Sequence, residues 1–152
     1  SLTGLYNYRY LMEEIKRISN SRNYPISIVI ADLDQLKFIN DNFGHKLGDK
    51  YIKKAADILK NTFRQEDVVS RIGGDEFAII LPNTDDYNSR DIIDRVRNKV
   101  KTIRENNKQF KFFNISLGVS TMTNDSVSFE QGYKEADKKM YKDKKNKSNK
   151  NH

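Results

Sequence analysis

The sequence predicts an α/β domain built on a mixed sheet with helices over both faces, and three observations carry that reading. Segments of helical periodicity alternate with short β-branched runs along the chain. One run, Ile26-Ser27-Ile28-Val29-Ile30-Ala31, has apolar character on both faces, as in a central strand covered by helices on each side. A Gly73-Gly74 pair between two further apolar segments inserts one tight hairpin.

Leu5, Tyr8, Leu11, Met12, Ile15 and Ile18 recur at helical spacing, so the chain opens with an amphipathic helix reaching about Asn20, and Pro25 bars its continuation. The central strand follows and ends at Asp32. A short helix is expected over about 35–42 and a longer one over about 49–64, with Tyr51, Ile52, Ala55, Ala56, Leu59 and Phe63 inward. The hairpin pairs 68–72 with 77–81, its glycines accepting the positive φ angles of a two-residue turn. A helix over 88–105 buries Ile92, Ile93, Val96, Val100 and Ile103, and Phe113, Ile115, Leu117 and Val119 alternate in a strand. The last helix runs from Phe129 to about Lys145 and buries Tyr133, Ala136 and Met140.

A chain of 152 residues is the size of one domain, and about 150 residues bury roughly 70% of their unfolded surface, enough for an independent core. No cysteine occurs, which excludes disulfides and thiolate metal sites and suits a reducing cytoplasm. No apolar run approaches the roughly 20 residues of a bilayer span, and no signal peptide is visible, so a cytoplasmic domain without membrane contact is expected. The chain lacks an initiating Met, as a piece of a longer protein would. Its formal charge of +7 invites a nucleic-acid partner. However, Lys138, Lys139, Lys142, Lys144, Lys145, Lys147 and Lys150 crowd the end, with no aromatic interleaved after Tyr141. We therefore expect a folded domain over 1–146, a disordered basic tail over 147–152, and no nucleic-acid partner.

Ile28, Ile30 and Asp32 share a face, so a carboxylate closes the apolar row at the carboxyl end of a strand, the usual ligand position in α/β sheets. The free N–H groups of Gln35, Leu36 and Lys37 begin a helix directly beyond it and suit phosphate oxygens. Lys144 continues the buried stripe of the last helix four residues after Met140, apart from its solvated neighbours. Asp75 and Glu76 stand at the mouth of the hairpin.

Gly73-Gly74-Asp75-Glu76-Phe77 resembles the signature of the GGDEF family, the diguanylate cyclases that condense two GTP into cyclic di-GMP. The resemblance extends in order through Leu2-Thr3-Gly4-Leu5-Tyr6-Asn7, Asp32-Leu33-Asp34, Lys37-Phe38-Ile39-Asn40-Asp41, Gly44-His45, Gly48-Asp49 and Arg64-Gln65-Glu66-Asp67. Beyond the signature it takes in Leu81-Pro82, Ser116-Leu117-Gly118-Val119, and Ala136-Asp137 with Tyr141 and Lys144. It implies a mostly antiparallel sheet related to the polymerase palm and the class III nucleotide cyclases.

The resemblance also implies roles. Asp32, Asp75 and Glu76 would be catalytic. Asp32, Asp75 and the main-chain carbonyl of Leu33 would hold two Mg²⁺ or Mn²⁺ ions, since facing carboxylates repel unless a cation lies between them. Glu76 would point away from Asp75 if the pleat holds, acting through positioning. Gln35, Leu36, Lys37 and Lys144 would bind the triphosphate; Ser148 replaces a family Arg, with Lys147 available as a point charge. Asn40 and Asp49 would select guanine, although Asp49 also fits a helix N-cap. Arg64 and Asp67 match an inhibitory site for the product, or form an ordinary surface ion pair. Because each domain presents one GTP, catalysis would need a homodimer, and an upstream sensor would be missing from this piece. The alternative function is a catalytically silent GGDEF regulatory module that binds GTP or cyclic di-GMP.

Overall fold

The structure, a computed structural model, describes residues 2–19 and 22–150. Four strands, β1 (Ile26–Leu33), β2 (Val68–Arg71), β3 (Glu76–Leu81) and β4 (Ile115–Met122), form a sheet in the order β2-β3-β1-β4, each neighbour antiparallel. A parallel bridge between Tyr6 and Ser70 lays the start of the chain along β2 and makes the sheet mixed. Helices α1 (Tyr8–Ser19), α2 (Leu36–Phe43), α3 (His45–Thr62), α4 (Asp86–Asn106) and α5 (Phe129–Lys150) cover it. No helix among the described residues is long and apolar enough to cross a membrane.

The strand pleat sorts the core into two layers. Val29, Ala31 and Leu33 of β1 join Phe77, Ile79 and Leu81 of β3 against Tyr51, Ala55 and Leu59 of α3 and Val96 of α4. The alternate residues Ile28, Ile30, Ala78 and Ile80 face Leu11, Ile15 and Ile18 of α1 and Ala136 and Met140 of α5. β1 is buried at all eight positions, as its two-sided apolar run predicts. Asp32 continues the row that faces α5, which brings the end of that helix to the end of the strand.

Two devices press α5 onto β4. A Cβ at Gly118 would lie 2.1 Å from the Ala136 carbonyl oxygen, so only glycine admits this close crossing. Asp143 accepts from the Leu117 N–H and from Arg97, both at 2.9 Å. Burial opposes the Asp143 charge, but these hydrogen bonds and the cations Lys147 and Arg97 prevail and hold its carboxyl below the usual range. A depressed folded-state pKa contributes stability above the ordinary carboxylate value near about 4, which is lost as pH falls through the lower folded value. Asp143→Asn should therefore cost about 1–3 kcal/mol at neutral pH. In melting curves taken against pH, the gap from wild type should narrow below about pH 4.

Three boundaries depart from the expectations. α3 begins at His45 rather than at Asp49, because Gly44 (φ 92°) both ends α2 and caps α3, turning the chain without a side-chain cap. Asp49 is consequently inside α3, and its N-cap reading is overturned. The hairpin loop is wider than two residues: Ile72 and Gly73 both donate to the Glu76 carbonyl, at 2.9 and 3.3 Å, and neither Gly73 nor Gly74 takes a positive φ. Arg71 braces the loop through the Gly73 and Gly74 carbonyls. Finally, α5 persists to Lys150 instead of fraying from residue 147, because Lys147 is anchored to β4 through the Ile115 carbonyl at 2.5 Å. The remainder of the expected tail, 151–152, lies outside the described residues.

Candidate active site

The carboxyl end of β1, the start of β3 and the end of α5 converge on three acids. The antiparallel register sets Asp32 directly opposite Glu76, and the Leu33 N–H donates to the Asp75 carbonyl at 2.8 Å, drawing the loop residue in beside them. One carboxylate oxygen from each of Asp32, Asp75 and Glu76 lies within 4.8 Å of the others. The expectation that Glu76 points away from Asp75 is thus corrected: Asp75 sits in the loop, outside the pleat, so alternation does not separate the two.

Asp32 is buried, and the cluster's electrostatics centre on it. Lys144 of α5 donates to its Oδ2, while its Oδ1 is buried without a hydrogen-bond partner. Burial, opposed by the Lys144 hydrogen bond and reinforced by the charge of Asp75, pushes the Asp32 carboxyl up to about 6. Burial works against the Lys144 ammonium too, but Asp32 outweighs it and raises the lysine's pKa. An orphaned oxygen among crowded carboxylates is what a divalent cation relieves, and an oxygen donor set suits Mg²⁺ or Mn²⁺. The residues present therefore fit a metal site, with Glu76 a direct candidate beside Asp32 and Asp75.

Asp34, one step past β1, is held by Ser116 at 2.6 Å and faces Lys147 at 3.4 Å. Gln35 follows in the left-handed region (φ 60°), a conformation costly for a residue with a side chain, and no side chain caps α2. The first N–H groups of α2, at Leu36 and Lys37, are left uncapped beside the acids, as a phosphate cradle requires. Lys147 spends its donors within the protein, on Ile115, Asp34 and Ser116, which corrects its expected role as a free point charge. The side chain at Ser148 lies outside the described ones.

On the α2–α3 corner, Asn40 Oδ1 fills the space of an absent side chain at Gly48, only 1.8 Å from where a Cβ would stand. The glycine thereby admits Asn40 against α3 one residue before Asp49, which is exposed.

The family model described as "Diguanylate cyclase, GGDEF domain" matches residues 1–150. The chain belongs to the GGDEF family. Diguanylate cyclase A of Treponema denticola is 34% identical over 145 residues, covering 93% of this chain and 39% of that protein. Diguanylate cyclase DgcS of Shewanella oneidensis is 30% identical, covering 93% and 47%. The active GGEEF domain of a diguanylate cyclase from Vibrio cholerae superposes with a TM-score of 0.80 at 28% identity, covering 93% of this chain and 92% of that one. The chain spans less than half the length of these curated relatives.

In this GGDEF domain Arg64 and Asp67 do meet, at the end of β3 away from the acids, about 20 Å along the strand. Arg64 also donates to the Pro82 carbonyl at 2.9 Å and to Thr84 at 2.6 Å, clasping two loops. The Asp67 side chain is fully buried whereas that of Arg64 is 41% exposed, so Arg64 alone offers a surface to a ligand. Arg64→Ala would remove the guanidinium from the buried Asp67 carboxylate and leave it only the backbone N–H of residue 64, now at 2.8 Å, and urea unfolding should show a loss of about 1–3 kcal/mol. Sequence reasoning missed the Asp34–Ser116–Lys147 network; the only signal was the Asp-x-Asp spacing at 32 and 34. It also missed the Arg71 brace, for which the sequence carries no signal.

Proposed function

We propose that this domain is a diguanylate cyclase that condenses two GTP into cyclic di-GMP and two pyrophosphates. The observation that carries this reading is the convergence of Asp32, Asp75 and Glu76 with a buried, unpartnered oxygen on Asp32. A silent nucleotide-binding module has no use for so costly an arrangement. When bound, Mg²⁺ or Mn²⁺, two ions per site, supplies charge that lowers the pKa of an attacking 3′-hydroxyl and offsets that of the departing pyrophosphate.

The protein's own groups do the rest. Asp32, Asp75 and Glu76, with the Leu33 carbonyl, would hold the ions. Gln35, Leu36 and Lys37 present backbone N–H groups to the phosphates, and Lys144 contributes a charge shared with Asp32. Asn40 and Asp49 read the guanine edge: a carboxylate accepts from N1–H and the 2-amino group, a pattern adenine lacks. Each 3′-oxygen forms a bond to the α-phosphorus of the other GTP as the bond from that phosphorus to the α,β-bridging oxygen breaks; pyrophosphate leaves with that oxygen, and the hydroxyl proton passes to water. One domain holds one GTP, so two copies meet face to face.

Cyclic di-GMP is proposed to act back through the exposed part of Arg64, and control by an attached sensor, in a cytoplasmic setting, belongs to the same reading. The test is to incubate the protein with GTP and Mg²⁺ and seek cyclic di-GMP by mass spectrometry, at two protein concentrations. Product is expected, with specific activity falling on dilution; GTP binding without any product would favour the silent module.

A further inference from the structure

The order β2-β3-β1-β4 leaves the sheet two outer edges, and the protein closes them unequally. Along β2 the start of the chain forms the Tyr6–Ser70 bridge, and the Arg71 N–H donates to the Tyr6 carbonyl at 2.9 Å. Along β4 only one half is closed. The main-chain groups of successive residues point to opposite sides of a strand. Leu117 donates outward to Asp143, so Ile115, Leu117, Val119 and Thr121 all turn their N–H and C=O groups away from β1. Lys147 donates to the Ile115 carbonyl, and Asp143 accepts from the Leu117 N–H. Beyond them the outward main-chain groups of Val119 and Thr121, both half-exposed residues, have no hydrogen bond among the described residues.

An open strand edge is a template for another strand. Two clefts follow each other along this one, of about 490 Å³ beside Leu117, Gly118 and Val119 and about 500 Å³ beside Ser120, Thr121 and Met122. Arg90 and Arg97 in the first are matched by Asp86 and Asp143. That leaves Asp94 and Lys139 on its wall, and Lys134 and Glu135 on the wall of the second. None of these four forms an ion pair among the described residues. A partner of one sign would meet repulsion as well as attraction here, whereas a copy of the same surface turned about a two-fold axis brings acids and cations from both sides together. Such an axis, perpendicular to the sheet and passing by Ser120, pairs the strands antiparallel. It sets Val119 of each copy opposite Thr121 of the other, each pair exchanging both its N–H···O bonds, and leaves the Asp143 contact intact.

We propose that the open half of β4 is a self-association edge, at which a second copy of this chain adds its own β4 and continues the sheet. This is not the face-to-face contact that GTP condensation needs. With the two β4 strands antiparallel, the carboxyl ends of the two β1 strands, and the acids they carry, lie at opposite ends of the joined sheet. The edge contact therefore stands apart from the cyclase reading.

The test is sedimentation equilibrium of the whole chain in EDTA without nucleotide, where bound GTP holds no copies together. The mass of wild type should rise toward that of a dimer with concentration. Val119→Pro removes an N–H that the single copy leaves unbonded, a change an edge strand tolerates, and should weaken association about tenfold or more. Lys134→Glu and Glu135→Lys each give one cleft wall a single sign. Each should weaken association, and an equimolar mixture of the two should associate more tightly than either alone. Lys60→Glu makes the same charge change at an exposed position near the end of α3 and should stay within about twofold of wild type. Wild type that stays monomeric, a folded Val119→Pro that associates as wild type does, a mixture no tighter than its components, or an equal loss in Lys60→Glu would overturn the proposal. Wild type that associates through this edge yet forms no cyclic di-GMP would instead sink the cyclase reading and leave the edge standing.

Discussion

Asp32→Asn is expected to abolish cyclic di-GMP formation and, in the metal-free protein, to raise the melting temperature. Both effects come from one atom. Oδ1 of Asp32 is buried with no partner, and one carboxylate oxygen of Asp32 lies within 4.8 Å of one from each of Asp75 and Glu76. Without a cation this crowding is destabilising, and a buried unsatisfied polar atom alone costs about 1–3 kcal/mol. An asparagine of the same shape removes the charge, keeps an acceptor for Lys144 and offers an amide donor to the neighbouring acids. At about 2–4 °C per kcal/mol for a chain of this size, the gain is measurable by calorimetry in EDTA. On the proposed function the same change also removes a carboxylate that would hold the metal, and activity should then fall by more than the 10- to 100-fold typical of losing a group that merely orients a ligand. A variant that kept its activity and melted lower would show Asp32 to be a structural acid.

The second large effect concerns base choice. Asn40→Ala combined with Asp49→Ala should erode the preference for GTP over ATP, each lost hydrogen bond costing about 1–3 kcal/mol where its partner stays buried. Because Asp49 lies inside α3, which is capped by Gly44, its removal should leave the helix intact. Competitive nucleotide binding with a parallel helicity measurement separates the outcomes: unchanged selectivity would remove both residues from the guanine site.

Much of this was legible in the residues. The two-sided apolar run at 26–31 became the buried central strand, and the alternation of Ile28, Ile30 and Asp32 placed a carboxylate at its end. What was hidden depended on contacts between distant segments. Glu76 joined the acids because Leu33 draws the Asp75 backbone out of the pleat. α5 outlasted its polar composition because Lys147 bonds a β4 carbonyl, and α3 began early because a glycine cap leaves no side-chain signal. Local propensity registers none of these.

The central claim is that the three acids hold the metal on which GTP condensation depends. Mn²⁺ binding followed by electron paramagnetic resonance, with a GTP analogue that cannot be cleaved between its α- and β-phosphates, tests it most directly. Wild type should take up two ions per chain, and Asp75→Ala should lose that uptake while retaining its fold. Equal Mn²⁺ uptake by wild type and Asp75→Ala would contradict the account.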